Sequence, residues 1–113
     1  MDRVSRYRTL IKRLLLEKEA LFRRCGQEGH EQYCALDEER DQYLLVNTGW
    51  VGERRLHGAT LYLRIQDGKI WIEEDWTEDG IANELVANGV PKEDIVLGFQ
   101  PPSVRSQTEF AIA

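Results

Sequence analysis

The sequence predicts an α+β fold with an N-terminal helix, a four-stranded antiparallel meander sheet, a second helix and a short C-terminal segment. Three observations support this prediction. Apolar residues recur at helical spacing through the first 24 residues, four segments between residues 30 and 75 resemble strands, and a capped periodic segment follows at 77–88. A chain of 113 residues is long enough for one hydrophobic core. We therefore expect a single domain over residues 1–113.

The composition excludes several broad classes of protein. The chain is 42% apolar and 31% charged, which is typical of a folded soluble protein and not of a disordered one. No apolar run approaches the ~20 residues of a membrane span, and the first residues do not form a signal peptide. Two cysteines are too few for a disulfide scaffold and suit a reducing compartment. We expect a cytoplasmic protein that does not bind membranes.

The first helix is predicted from about residue 3 to residue 24. Leu10 and Leu16 widen its apolar surface, and this excess is available to bury against a second subunit. Gly26, directly after Cys25, is expected to end the helix in a left-handed turn. Spacings of three and four place one apolar stripe along the helix, formed by Val4, Tyr7, Ile11, Leu14, Leu15, Leu21 and Phe22.

Charge is distributed unevenly along the chain. Residues 1–24 carry a net charge of +5 and the remainder a net charge of −10, which gives −5 for the whole chain. The basic helix, which includes Arg3 and Arg6, is interpreted either as a nucleic-acid arm or as a solvated helix face. The acidic remainder repels phosphates and so favours the solvated face.

Four strands are predicted at 31–36, 43–48, 59–66 and 69–73. Gly52-Glu53 is expected to turn the chain between the second and third strands. Asp67-Gly68 is the strongest hairpin signal, because a type I′ turn requires positive φ at both positions. The apolar run 95–99 is either a fifth short strand or a buried connector, and Pro101-Pro102 ends it.

An acidic stretch, "EEDWTEDGIANELVANGVPKEDIVLGF" at residues 73–99, raises the question of a catalytic or metal site. Asp75 or Thr77 is a suitable helix cap, and carboxylates in a first turn interact favourably with the helix dipole. Ile81 and Leu85 bury one side of this helix, and Asn88-Gly89 ends it. We interpret most of the acidic crowding as capping chemistry.

A magnesium-dependent nuclease would draw on Asp67, Lys69, Glu73 and Asp75. Asp67 and Glu73 are separated along one strand by ~20 Å, at 3.3 Å per residue, so these residues are not expected to converge. No nucleophile with a neighbouring base and no glycine-rich phosphate loop is present. We expect no catalytic residues, no cofactor and no enzymatic activity.

A zinc site would use Cys25, His30 and Cys34, whose spacing resembles part of a zinc knuckle. The only remaining nitrogen or sulfur ligand is His57, on a different strand, whereas a structural zinc ion requires four ligands. Small buried cysteines are the simpler interpretation, and no metal site is predicted.

One face of the predicted sheet is not covered by the predicted helices. If the aliphatic residues of 61–72 face the helices, Tyr62, Arg64 and Trp71 face the opposite side. Three alternatives remain open for this surface: a homodimer contact, coverage by the C-terminal segment 104–112, or a stacking platform for single-stranded nucleic acid. The homodimer contact is favoured, because a stacking platform requires basic surroundings that are absent here.

The blocks "YLLVNTGW", "RRLHG", "DGKIWIEED", "TEDGIANELVANGVPKEDIVLGFQPP" and "TEFAIA" resemble the XisI family, known as the fdxN element excision controlling factor. The opening "MDRVSRYRTLIKRLL" is similar as well, so the resemblance covers nearly the whole chain. It implies an α+β fold and a cyanobacterial accessory protein for programmed excision of a DNA element during heterocyst differentiation. It also implies action beside an XisH-like protein and a separate recombinase, and it supplies no catalytic residue.

Two classes of function follow. The first is a non-enzymatic controlling factor that binds a protein partner such as an XisH-like protein, through a surface drawn from Tyr62, Arg64, Trp71, Arg3 and Arg6. The second is an accessory factor that binds DNA directly at the recombination site. The net charge favours the first class, with DNA bound only weakly or indirectly.

Overall fold

The computed structural model describes residues 2–113 as three helices packed with one five-stranded sheet. A 3₁₀ turn, Lys92–Asp94, precedes the last strand. In chain order the helices and strands are α1 (Arg3–Cys25), β1 (His30–Asp37), β2 (Gln42–Val51), β3 (Arg54–Gln66), β4 (Lys69–Asp75), α2 (Ile81–Ala87), β5 (Ile95–Leu97) and α3 (Pro102–Arg105).

Helix α1 forms as its apolar periodicity predicts, but it ends differently. The side chain of Asp2 caps the first turn by accepting from Ser5 N at 2.8 Å. Gly26 ends the helix with φ −75°, in extended backbone, so the prediction of a left-handed turn is wrong. Glycine is required there for space, because a Cβ would lie 2.4 Å from the carbonyl oxygen of Phe22.

The sheet has strand order β1-β2-β3-β4-β5, and the prediction of four antiparallel strands is only partly correct. Strands β1 to β4 form the antiparallel meander, and Asp67 and Gly68 both have positive φ in the β3–β4 turn. Residues 95–97 form a fifth strand that pairs parallel with β4. Parallel pairing is possible because the chain crosses back over the sheet through α2, a crossover that strand periodicity does not reveal.

Helix α2 begins at Ile81 rather than near residue 77, which corrects the predicted start. Asp75, at the end of β4, accepts from Thr77 N at 2.8 Å and from Ile81 N at 2.7 Å, so its carboxylate caps the helix from six residues away. The helix ends at Ala87, and Gly89 has φ +95° as a C-terminal glycine signal predicts.

Helices α1 and α2 pack on the same face of the sheet, which we call the inner face. Lys18 of α1 and Glu84 of α2 form an ion pair at 2.7 Å that joins the two helices. The core between the helices and sheet includes the five aliphatic residues that the alternation assigned to the inner face, which are all buried: Leu61, Leu63, Ile65, Ile70 and Ile72. Within residues 2–113 no helix is long and apolar enough to cross a membrane.

Candidate interaction surfaces

The opposite face of β1–β3, here called the outer face, carries an apolar row. The register places Ala35 beside Leu44 and Leu44 beside Tyr62, while Tyr33 pairs with Val46. Residues directly opposite in antiparallel strands point to the same side of the sheet, so these five side chains form one surface. We call it the outer apolar patch. Its side chains are half-buried or exposed, and Tyr33 is 40% exposed.

The other end of the outer face is covered by the C-terminal segment. The guanidinium of Arg105 lies over the Trp71 ring at 5.3 Å, and that of Arg64 lies over the same ring at 5.1 Å. Arg105 is held in place because its Nε donates to the carbonyl oxygens of Leu97 and Gln100. Of the three residues predicted for this surface, Trp71 therefore lies against two cations, whereas Tyr62 belongs to the open outer apolar patch.

The segment after α3 also extends the sheet at its β5 edge. Ala111 N donates to the carbonyl oxygen of Ile95 at 2.9 Å, and Ala111 forms a parallel bridge with Val96. Val96 pairs with Trp71 on β4 and is fully buried. Coverage by the C-terminal segment, one of the three alternatives for the outer face, thus occurs at β4–β5 and does not extend to the outer apolar patch.

Sequence reasoning did not identify Tyr33, Leu44 and Val46 as surface residues. The run Tyr43-Leu44-Leu45-Val46 is continuously apolar, so alternation alone does not assign its faces. A register shift between Leu45 and Val46 disturbs the alternation further. The structure resolves the ambiguity, because Tyr43 is fully buried and its neighbour Leu44 therefore points to the opposite face.

Arg3 and Arg6 do not join this surface. They lie at the start of α1, which packs on the inner face, so the five residues predicted as one interaction surface occupy two separate regions. Arg3 Nη1 lies 3.6 Å from a carboxylate oxygen of the buried Asp94, and its guanidinium contacts Gly68 in the β3–β4 turn.

Most cations of α1 are paired with carboxylates. Six of the eight form ion pairs, which leaves Arg6 and Arg24 without a carboxylate partner among residues 2–113. Four of these pairs reach carboxylates outside the helix and two lie within it, so most cations of α1 are paired and few are free to contact a phosphate backbone. The pairs are Arg3–Asp94, Arg8–Asp41, Lys12–Glu38, Arg13–Glu17, Lys18–Glu84 and Arg23–Glu19.

Three of the four residues considered for a nuclease site have structural partners. Asp67 is in the hairpin turn, Lys69 Nζ contacts the carbonyl oxygen of Ala113, and Glu73 lies 3.5 Å from Arg64. Asp75 is occupied by the α2 cap. The structure does not bring these four side chains together around one point.

The two cysteines considered for a zinc site lie in different surroundings. Cys25 is exposed, whereas Cys34 lies on the inner face of β1. Burial, reinforced by the Glu19 carboxylate, raises the pKa of the Cys34 thiol to about 12. A thiol with a raised pKa is a poor metal ligand, because the thiolate is the binding form. Across residues 2–113 no group of three His, Cys, Asp or Glu side chains is placed to hold a metal ion.

Comparison with known proteins agrees with the family resemblance seen in the sequence. The family profile described as XisI protein matches residues 1–112. Two solved structures from Anabaena variabilis ATCC 29413 are similar over 99% of this chain and 100% of their own. One is an XisI-like protein with 38% sequence identity and a TM-score of 0.90. The other is the fdxN element excision controlling factor XisI, with 43% identity and a TM-score of 0.85. No curated protein matches the chain significantly.

Proposed function

Because the chain belongs to the XisI family, as its sequence motifs predicted, we propose that it is a controlling factor for the excision of a DNA element. The observation that carries this proposal is the similarity, over essentially the full length of both chains, to the fdxN element excision controlling factor XisI. In this role the protein acts beside a separate recombinase, which performs the strand chemistry. Its proposed setting is the cytoplasm of a cyanobacterial cell, during heterocyst differentiation.

The proposed mode of action is binding rather than catalysis. The outer apolar patch supports this mode, because a contiguous apolar surface on a small domain is typical of a protein–protein contact. The carboxylates at 73–79 support it as well, since Asp75 caps α2 and Glu73 pairs with Arg64. Glu73 and Asp75, two of the charged groups considered for a catalytic site, thus have structural roles within the domain.

Two protein contacts are proposed. The first is a homodimer in which the outer apolar patch packs against its own copy, since a two-fold axis pairs each patch with itself. The second is an XisH-like protein that binds elsewhere on the same chain. Separate surfaces allow the dimer and the XisH-like partner to bind at the same time.

Co-expression of the tagged chain with an XisH-like protein tests the proposal. We expect the two proteins to co-elute in a stoichiometric complex on size-exclusion chromatography, and an untagged chain serves as the control for the affinity step. Deletion of the gene in its host is expected to abolish excision of the element, measured by amplification across the rejoined junction. Unchanged excision in the deletion strain would contradict the controlling role, and absence of co-elution would contradict the partner.

A further inference from the structure

A cleft of about 410 Å³ lies between the first half of α1 and the turn that follows α2. Arg3, Arg6, Leu10 and Arg13 recur at spacings of three and four, so they form one stripe along the helix wall of the cleft. The facing wall is built from residues 88–91, where Gly89 has φ +95° and turns the chain towards Pro91.

The lining of the cleft carries a net positive charge although the protein is acidic. Three guanidinium groups line it, and the one carboxylate in its lining is that of the buried Asp94. Asp94 is already engaged by the Tyr7 hydroxyl and by Arg3. Burial, together with the neighbouring Asp94 carboxylate, raises the pKa of Tyr7 to about 12, so Tyr7 remains a protonated donor to that carboxylate.

Two of the arginines are held in position and one is free. Arg13 donates to Glu17 at 3.0 Å and to the side-chain oxygen of Asn88 at 2.8 Å, which fixes its guanidinium at the rim of the cleft. Arg3 is anchored near Asp94. Arg6 is exposed and has no carboxylate partner within residues 2–113. An unpaired guanidinium between two positioned ones is suited to receive an anionic group with bidentate geometry.

The remainder of the cleft is apolar. Leu10 and Pro91 present carbon surface beside the guanidinium groups, whereas Val90 is buried. A phosphate backbone gains little from such surface, because its affinity comes mainly from counterion release along a row of free cations. A peptide that carries an acidic side chain next to an apolar one matches both the charge and the apolar surface of the cleft.

We propose that this cleft binds an acidic, apolar peptide segment of a protein partner, with Arg6 receiving the carboxylate and Leu10 and Pro91 contacting the apolar side chain. This inference rests on the proposed function, because it assumes a protein partner. It places the contact with that partner on the side of the domain that carries α1 and α2. The outer apolar patch lies on the opposite side of the sheet and stays free for the homodimer.

Titration of the ¹⁵N-labelled protein with a short synthetic peptide of alternating Glu and Leu tests the cleft directly. We expect amide shifts concentrated at residues 3–13 and 88–91. A peptide with Lys in place of Glu and one with Gly in place of Leu are expected to bind more weakly, because each removes one of the two matching features. Shifts concentrated elsewhere, or equal binding of all three peptides, would overturn the proposal.

Two charge-reversed variants provide a matched comparison. Arg6→Glu and Arg24→Glu make the same charge change at exposed positions of α1 that are about 27 Å apart at 1.5 Å per residue. We expect Arg6→Glu to weaken peptide binding about tenfold or more and Arg24→Glu to leave it nearly unchanged. Equal weakening by both variants would indicate general charge attraction and would refute a specific cleft.

The same variants separate this inference from the proposed function. If the wild-type chain co-elutes with its partner and Arg6→Glu does not, the cleft is the contact. Undiminished co-elution of Arg6→Glu would refute the cleft while leaving the controlling role intact. If the wild-type chain itself fails to co-elute, the proposed partner is wrong, and the peptide titration still decides whether the cleft binds acidic segments. Displacement of the peptide by short duplex DNA at equal concentration would assign the cleft to nucleic acid instead.

Discussion

The guanidinium of Arg8 donates to both carboxylate oxygens of Asp41, from Nε at 2.7 Å and from Nη2 at 3.0 Å. The hydroxyl of the fully buried Tyr43 also donates to Asp41, at 2.7 Å. Asp41 lies in the β1–β2 turn, and its carbonyl oxygen accepts from Ile65 N. Asp41 therefore joins α1 and β2 through its carboxylate and β3 through its backbone carbonyl.

We predict that Asp41→Asn destabilises the protein, with a fall in thermal midpoint of about 5 °C or more. Asparagine tolerates the positive φ of 51° at this position, so the loss reports the carboxylate and not backbone strain. Thermal unfolding monitored by circular dichroism measures the change. Glu39→Gln, an exposed carboxylate in the same turn, is the control and is expected to be neutral. Equal midpoints for Asp41→Asn and the wild type would contradict the role of the network.

The same network predicts a dependence of stability on pH. Arg8 holds the pKa of Asp41 below its ordinary value, so the unfolded chain binds this proton more readily than the folded one. Its contribution is fully present above the unfolded pKa, about 3.9, and is lost as pH falls through the lower folded pKa. We expect the stability difference between the wild type and Asp41→Asn to be constant above about pH 5 and to shrink below pH 4. Urea unfolding across this range measures it, and a constant difference at all pH values would argue against the prediction.

Another prediction concerns the acidic segment before α2. Asp75→Ala removes the carboxylate that accepts from Thr77 N and Ile81 N, and we expect a loss of about 1 kcal/mol in the free energy of unfolding. Glu78→Ala removes an exposed carboxylate from the same segment and is expected to change stability little. Urea denaturation compares the two variants, and an effect of equal size in both would show that charge, and not capping, is responsible.

Assembly gives a further prediction. The wild type is expected to be a dimer at micromolar concentration, and Leu44→Glu is expected to be a monomer because it places a charge in the centre of the outer apolar patch. Gln66→Glu introduces the same charge at an exposed position of β3 and is expected to stay dimeric. Light scattering coupled to chromatography gives the mass. A monomeric wild type whose mass does not rise with concentration would rule out the dimer.

Direct DNA binding is expected to be weak. Helix α1 carries eight cations, but only Arg6 and Arg24 lack a carboxylate partner in the described chain. Two contacts give a log–log salt slope of about −2, so affinity falls about a hundredfold per tenfold rise in salt. Mobility-shift titrations at several salt concentrations measure the slope. Tight, sequence-selective binding by the isolated protein would instead support a DNA-binding accessory factor.

We also predict that the purified protein contains no stoichiometric zinc and does not cleave DNA with magnesium. Cys34, with its raised thiol pKa, is a poor ligand, and the nuclease candidates are dispersed. Elemental analysis and incubation with supercoiled plasmid provide the measurements. One zinc ion per chain that is lost in Cys34→Ser, or cleavage that disappears in Asp75→Ala, would contradict these expectations.

Local signals in the sequence determined much of the fold. The apolar spacing of Tyr7, Ile11, Leu14 and Leu15 placed α1, and the Asp67-Gly68 pair placed the β3–β4 hairpin. Alternation in β3 and β4 assigned their inner and outer faces correctly. These features depend on residues within one or two turns or strand repeats of each other, which is the range over which helical and strand periodicity act. The XisI family resemblance rested on the same stretches.

Only the tertiary structure decided which distant residues meet. Arg8 and Asp41 are 33 positions apart, Arg13 and Asn88 are 75 apart, and both contacts depend on how the helices cross the sheet. The parallel strand β5 and the coverage of Trp71 by Arg105 likewise follow from the crossover through α2 and the course of the C-terminal segment. The role of the basic helix was therefore ambiguous in the sequence, because four of its cations pair with carboxylates that the fold brings to it from elsewhere in the chain.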